Sequence, residues 1–326
     1  MDAASIETLL QERTPPRPEA GWQDRLRALA RGELRFEEPL KRHTTLQIGG
    51  PADVLVYPAD LDDLRKIIEF AQAQHVPWMV LGWGSNVLVR DGGIRGIVFR
   101  LQKTFTRFEV LDETDSEVLI DVESGVPLPK VVESGKQKGW KGVETLYGIP
   151  GSVGGTLKMN AGTRLGEIKE FVEEITVLRP DGTVHAYPKK KIKFEYRSSN
   201  LPSKEIVISG KLRFQKGDPA AVQEAVTAYQ KKRHESQPLD LPNVGSVFKN
   251  PDKGFAAQII EELGLKGVRV GGARISSKHS NFIVNENEAS AKDVLVLIGL
   301  IRDKVKEELD LKLELEVKVI GEDELL

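Results

Sequence analysis

Gly148-Ile149-Pro150-Gly151-Ser152-Val153-Gly154-Gly155-Thr156, running on into Met159-Asn160-Ala161-Gly162, sets the character of the fold. A run of this kind presents consecutive backbone amides with little side-chain bulk, which suits a pyrophosphate or the edge of a flat ring system. Upstream, Leu81-Gly82-Trp83-Gly84-Ser85-Asn86 follows the strand-like Trp78 to Leu81. Gly82 and Gly84 let the backbone turn sharply and approach a ligand, and Ser85 and Asn86 add neutral donors. This bend lacks the third glycine and the later acidic residue of a Rossmann fingerprint, and the Lys of a Walker loop. Two cradles in one region suggest a dinucleotide. The competing reading is a pair of glycine-rich connections between strands.

Outward from these bends the hydrophobic period changes several times. Leu61, Leu64, Ile67, Ile68 and Ala71 fall at helical spacing within Asp60 to Gln74, whereas Trp78 to Leu81 and Gly96 to Leu101 read as short buried strands, together a βαβ pattern. Val118 to Val122 and Ile175 to Leu178 are further strands. Arg179-Pro180-Asp181-Gly182-Thr183 is a hairpin turn, because Asp-Gly supplies the positive φ it needs. A short helix is expected from Trp22 to Leu34, and a long one from Ala220 to about His234, after the boundary signal Lys216-Gly217-Asp218-Pro219. Two more helices are expected near Phe255 to Leu263 and Ala291 to Leu309, with a strand near Asn281 to Val284 between them. Lys312 to Ile320 alternates strictly, as a strand with one solvated face does. The expected organisation is an N-terminal extension over 1–33, units over 34–101 and 102–217, and a last unit over 218–326.

Composition narrows the function. The chain has 326 residues, enough for two or three packed units, and 40% are hydrophobic. Lys+Arg 47 against Asp+Glu 49 leaves a net charge of −2, so nothing advertises attraction to a nucleic acid or an anionic membrane. The absence of cysteine removes disulfides, thiolate metal sites, iron–sulfur clusters and a Cys nucleophile, and no metal is expected. Met1 to Glu19 is acidic and proline-bearing, with no apolar run long enough for a signal peptide or anchor, and reads as the start of a cytoplasmic protein. The residues leave oligomeric state open.

Thr44-Thr45-Leu46-Gln47-Ile48-Gly49-Gly50-Pro51-Ala52-Asp53, the Gly82 to Asn86 bend and Ile149 to Gly155 together resemble the UDP-N-acetylenolpyruvoylglucosamine reductase (MurB) family in order and spacing. The likeness continues through Tyr196-Arg197-Ser198-Ser199, Gly245-Ser246-Val247-Phe248-Lys249-Asn250-Pro251, Lys278-His279-Ser280-Asn281-Phe282-Ile283-Val284-Asn285 and Leu315-Glu316-Val317, from about Leu40 to Ile320. The Gly-Ser-Val-Phe-Lys-Asn-Pro run is its most specific piece. The chain is more similar to the shorter type II subclass, since no segment resembles the Tyr-bearing insertion of the longer one. The resemblance implies an α+β fold: a two-part FAD-binding unit of the vanillyl-alcohol-oxidase type, followed by a separate α+β substrate domain. It also implies NADPH-driven reduction of a UDP-sugar's enolpyruvyl group through noncovalent FAD.

Such a reaction builds charge on a carboxylate, which needs a cation or donor there and a proton donor at one carbon. Arg197 matches the family's catalytic arginine, and a guanidinium suits the task because it stays charged and can fork onto a carboxylate. Ser246 matches the proton donor and Glu316 the glutamate near the C-terminus, although alternation puts Glu314 and Glu316 on one face and the residues alone do not choose between them. The resemblance places Gly82, Gly84, Ser85, Asn86, Ile149, Pro150, Gly151, Ser152, Gly154, Gly155 and Asn160 at the cofactor, and Tyr196, Lys249 and Asn250 at the substrate. His279 reads as a loop support. Thr163-Arg164-Leu165 stands where family members often carry a Tyr, so the local contact there departs from the pattern. The rival functions are a sugar or alcohol oxidase on the same fold and a noncatalytic nucleotide-sugar-binding protein.

Overall fold

A computed structural model describes residues 18–252 and 254–323; residues 1–17 of the expected N-terminal extension lie outside the described residues. Helix α1, Trp22–Leu29, is shorter than the expected Trp22 to Leu34. The reason is a tertiary acceptor: buried Asp63 takes the N–H groups of Arg31, Gly32 and Ala59 at 2.9, 3.0 and 2.8 Å. Ala30 accordingly adopts extended angles, and the chain enters β1, Glu33–Pro39, which pairs antiparallel with β2, Pro51–Tyr57.

Asp60 caps α2, Leu61–Ala73, by accepting from the Asp63 N–H at 2.8 Å, and the apolar stripe anticipated for it is buried. Strands β3 (Trp78–Val80), β4 (Val87–Val89) and β5 (Ile94–Phe99) follow. The first sheet has the order β1-β2-β5-β3, with β2 and β3 parallel to the central β5. The expected βαβ is present, and the loop from Leu81 to Asn86 leaves the carboxyl end of β3.

The second sheet is antiparallel. It uses β6 (Phe108–Glu113), β7 (Glu117–Glu123), and, after α3 (Leu128–Lys138), α4 (Val153–Lys158) and a two-residue ladder of β8 (Gly162–Thr163) with β9 (Gly166–Glu167), the strands β10 (Val172–Leu178) and β11 (Val184–Pro188). A second small ladder, β12 (Phe194–Glu195) with β13 (Ser198–Ser199), precedes β14 (Ile206–Gln215). The order is β11-β10-β14-β7-β6. The Arg179 to Thr183 turn closes β10 and β11 as anticipated, with Gly182 at φ 80°. Beneath the sheet Trp140 stacks on Phe214 at 5.4 Å and Phe214 on Phe171 at 4.6 Å. Truncating such a buried aromatic to alanine costs about 3–5 kcal/mol.

Helix α5, Pro219–Ser236, is capped by Asp218 and buries Val222 and Val226 in this same core. The segment expected to begin at 218 thus opens with a helix that packs on the preceding sheet. The last third holds α6 (Ala256–Glu262), a three-stranded sheet of β15 (Arg269–Val270), β16 (Ala273–Ile275) and β17 (Ile283–Asn285), and α7 (Ala291–Leu309). Ser290 and Asp293 form a capping box on α7, and Val294, Leu297, Ile298, Ile301 and Val305 make its buried stripe. Leu46, Ile48 and Leu88 from the first third complete that core.

One expectation fails in an informative way. Lys312 to Ile320 is not one strand: only β18, Lys318–Ile320, joins a sheet, parallel to β4. At the bend before it the N–H groups of Glu316 and Val317 both reach the Val247 carbonyl, at 2.9 and 3.3 Å. Two residues facing one is the signature of a bulge, and a bulge re-aims side chains that strict alternation would put on one face.

Candidate active site

The two glycine bends lie against each other. Gly84 sits at φ 68°, and a Cβ there would overlap the His43 carbonyl oxygen, so both conformation and space demand glycine. Its own carbonyl accepts from Thr45 N–H at 3.1 Å. Ser85 Oγ donates to the Pro150 carbonyl at 2.5 Å, joining the first bend to the second. The second bend is pinned from behind: Leu128 N–H donates to Gly151 O, and Val153 and Gly154 N–H donate to Val126 O and Ser124 O, each at 2.9 Å. Ser152 caps α4 by accepting from Gly155 N–H at 3.4 Å.

Between the bends opens a cavity of about 1220 Å³ whose wall includes Gly82, Ser152, Gly154 and Gly155. Gly84, Ser85, Pro150 and Gly151 belong to the same two bends but are not among the residues lining this cavity, and Ile149 packs partly buried against the core beneath the second sheet. Three features fit FAD. The volume exceeds that of an ordinary small-ligand pocket, about 300–1,000 Å³. A Cβ on Gly82 would close to 3.2 Å on Ser152 Oγ, at the point where the bends meet. Ser124, 3% exposed and on the cavity wall, has a hydroxyl with no partner among the described residues. Lys158 adds a cation whose pKa burial pushes down, held to the Pro202 and Glu205 carbonyls at 2.5 and 3.3 Å. Ser124 and Lys158 were not anticipated: Ser124 lies outside both glycine runs, and Lys158, although inside the second, reads there as an ordinary solvated lysine.

Asn160, expected at the cofactor, has its side-chain amide bonded to protein. It is fully buried at φ 45°, and its amide is committed to protein: Nδ2 donates to Glu167 Oε2 and to Glu195 O, both at 2.9 Å, and Oδ1 accepts from Lys169 N–H at 3.3 Å. It braces the site from behind. Asn86 is also tied to protein, its Nδ2 donating to Glu316 O at 3.3 Å and its backbone carbonyl accepting from Lys318 N–H at 3.0 Å.

Arg197 and Glu316, 119 positions apart, meet side chain to side chain, with Arg197 Nε donating to Glu316 Oε1 at 2.7 Å. Their side chains are only 17% and 15% exposed, a degree of shielding that lets charge act strongly. Glu314, two residues earlier, is 70% exposed and pairs outward with Lys249 at 3.2 Å. The bulge at 316–317 separates the two glutamates. Ser246 lies next to the residue that accepts from Glu316 N–H, between Gly245 at φ 75° and buried Val247. Buried Asn281 holds this loop, accepting from Phe248 N–H at 2.9 Å and donating to Phe248 O at 2.8 Å. Thr45 Oγ1 donates to Asn243 O at 2.7 Å, tying the Ser246 loop to the first bend.

Tyr196 is 47% exposed, with the Arg197 guanidinium 4.7 Å from its ring centre. Burial of its hydroxyl, and then the Glu316 carboxylate, raise its pKa. Asn250 is exposed, and its Oδ1 accepts from Ala256 N–H at 3.1 Å at the start of α6. Lys249 is taken up by Glu314. In the departing Thr163 to Leu165 segment, Thr163 Oγ1 donates to Thr145 O at 2.9 Å and Leu165 is 47% exposed. His279 packs edge-on to Phe282 at 4.7 Å, and burial lowers its pKa.

Comparison with known proteins agrees with this geometry. Residues 237–320 match the family model for the UDP-N-acetylenolpyruvoylglucosamine reductase C-terminal domain, and residues 52–187 match a model for an FAD binding domain. The UDP-N-acetylenolpyruvoylglucosamine reductase of Clostridium tetani is 40% identical over 90% of this chain and 94% of its own length. The reductase 2 of Symbiobacterium thermophilum is 42% identical over 91% and 96%. The crystal structure of the Thermus caldophilus enzyme superposes with a TM-score of 0.75 at 38% identity, covering 89% of this chain and 98% of that one. The chain therefore belongs to the UDP-N-acetylenolpyruvoylglucosamine reductase family, as an FAD-containing oxidoreductase.

Proposed function

We propose that the protein reduces the enolpyruvyl C=C bond of UDP-N-acetylglucosamine enolpyruvate, with NADPH as electron source, in the cytoplasmic synthesis of peptidoglycan precursors. FAD held at Gly82, Ser152, Gly154 and Gly155 would supply the hydride chemistry that couples NADPH oxidation to addition at the terminal alkene carbon. That addition leaves the electron pair on the carbon bearing the carboxylate, and so spreads negative charge into the carboxylate oxygens. Arg197 is suited to stabilise this charge: one N–H edge is spent on Glu316, which leaves donors of the fork for a second carboxylate. Ser246 would donate the proton to the carbon next to the carboxylate. A hydroxyl does this only against a strong base held at hydrogen-bond distance in a site closed to water, so loop geometry carries the step. Glu316 fixes the orientation of Arg197. Tyr196 and Asn250 offer an aromatic edge and an amide to the sugar nucleotide, and Lys249, if released from Glu314, a cation for its phosphates.

The expected division of labour keeps FAD with residues 34–217, and α5 goes with them by its packing. The substrate would be held by the C-terminal segment beyond α5. Among the described residues no helix is long and apolar enough to cross a membrane.

The observation that carries this reading is the convergence of Arg197 and Glu316 at 2.7 Å beside the Ser246 loop. The test is an absorbance spectrum of the purified protein, followed by NADPH oxidation with and without the UDP-enolpyruvyl sugar. A flavin spectrum and consumption of one NADPH per alkene are expected. A protein that takes up no flavin, or that oxidises NADPH at the same rate without the sugar, sinks the proposal.

A further inference from the structure

Arg197 occupies a backbone conformation that L-residues avoid. It sits at φ 57° in the two-residue turn between β12 and β13, where Glu195 pairs with Ser198. Holding a residue with a Cβ in the left-handed region is unfavourable, so something outside the turn must hold it there. Two anchors are visible. Ser199 Oγ donates to Lys158 O at 2.7 Å on one strand, and Asn160 Nδ2 donates to Glu195 O at 2.9 Å on the other.

The same Asn160 Nδ2 donates to Glu167 Oε2, which also receives Lys169 Nζ at 2.5 Å, while Lys169 N–H reaches back to Asn160 Oδ1. The opposite oxygen of Glu167, Oε1, lies 3.9 Å from Arg197 Nη1. The Glu167 side chain is 16% exposed, as shielded as Arg197 and Glu316. The guanidinium is thus flanked by Glu316 at Nε and Glu167 at Nη1, with the Tyr196 ring packed against it.

We infer that Glu167 is a positioning residue for Arg197, the second of two carboxylates that fix the plane of the guanidinium and turn its remaining donors toward the substrate carboxylate. The inference rests on the reaction proposed above. A guanidinium hydrogen-bonded at one edge can swing about that contact; a second shielded carboxylate 3.9 Å from Nη1 opposes that swing by charge attraction. Misplacement of a charge-stabilising group by about 1 Å can cost on the order of 10²-fold in rate. Asn160 and Lys169 act one step further out, keeping Glu167 in place.

The test is Glu167→Ala, measured in three ways: single-turnover reduction of the flavin by NADPH, single-turnover reduction of the enolpyruvyl sugar, and the rate at which phenylglyoxal labels Arg197 in the flavin-free protein, read by peptide mass spectrometry. Enolpyruvyl reduction should slow by about 10²-fold, flavin reduction should stay within about twofold, and Arg197 should label several-fold faster. Glu167→Gln carries the same test should the alanine variant fail to fold. Unchanged enolpyruvyl reduction, unchanged labelling, or a parallel fall in both half-reactions would each overturn the inference, the last because it marks a general lesion. A wild-type protein that does not reduce the enolpyruvyl sugar would instead remove the reading beneath it.

Discussion

The glycine bends at 82–86 and 148–155 and the C-terminal run from 311 to 320 meet at Asn86, and each is shaped in a different way. The bends take their form from their own residues: Gly84 must be glycine because of its φ and because His43 O stands where a Cβ would go. The C-terminal run takes its form from a partner. Nothing local makes Glu316 depart from alternation; the Val247 carbonyl does so by accepting two successive N–H groups. The proposed cofactor cradle is therefore written into a few consecutive residues, whereas the proposed catalytic face of Arg197, Ser246 and Glu316 is assembled only once distant segments have packed.

The sharpest way to break this contrast is to remove one assembled group. Ser246→Ala should lower the rate of enolpyruvyl reduction by about 10²–10⁴-fold, the usual range for a positioned proton donor, and leave NADPH-driven flavin reduction nearly intact. Arg197→Lys keeps the charge but loses the fork, and a fall of about 10²–10³ in kcat is expected. Stopped-flow measurement of the two half-reactions checks both. Equal loss in both halves would mean these residues hold the fold together and do not serve the second step.

The bends are probed with alanine. Gly84→Ala forces a Cβ into the His43 carbonyl, so apoprotein stability and flavin affinity should fall together. Gly155→Ala is the revealing counterpart: it has ordinary φ, sits within α4, and its Cβ would come no closer than 3.6 Å to Ser152 Oγ. Helix propensity favours alanine there by about 1 kcal/mol, so the empty protein should be at least as stable. Flavin affinity should drop by roughly tenfold, since a methyl would enter space the cofactor needs. Flavin titration by fluorescence quenching, alongside thermal melts, separates the two effects. Unchanged affinity in Gly155→Ala would put the cofactor elsewhere.

Much of the fold was legible because its signals are local. The Asp-Gly turn, the apolar stripes of α2 and α7, and the Asp218-Pro219 start of α5 each carry their cause within a few residues. What was not legible depends on tertiary acceptors. The end of α1 is set by Asp63, more than thirty positions on. Asn160 stands in a glycine-rich frame that suggests a cofactor contact, yet its buried amide is spent on Glu167 and Glu195. Glu167 has no motif of its own, and its significance follows from where Arg197 comes to rest.

His279 belongs to the same loop system as Ser246 through the Asn281 clamp, and burial depresses its pKa. The unfolded chain therefore binds that proton more readily than the folded protein does. Stability should be full above the ordinary histidine range and drain away as pH falls through it toward the depressed folded value. His43 beneath Gly84 shifts in the same direction, burial outweighing its contact with Glu38. Melts between neutral pH and about pH 5 should show a shallower decline in His279→Gln, by about 2 °C at the acid end, the scale of one buried group in a chain of this size. Superimposable pH profiles would remove His279 from the account.

The smallest effect is the most discriminating for the C-terminal run. If that run alternated as a regular strand, Glu314 and Glu316 would share a face, and removing either would disturb the same surroundings. With the bulge in place, Glu314 is 70% exposed and, among the described residues, its side chain answers only to Lys249 across 3.2 Å, an exposed pair of the kind worth about 0–1 kcal/mol. Glu314→Ala should therefore leave kcat within about twofold, with any change appearing in KM through the freed Lys249. A loss of kcat comparable to that of Glu316→Ala would mean that the two carboxylates act on one face, and that backbone pairing at Val247 does not sort them.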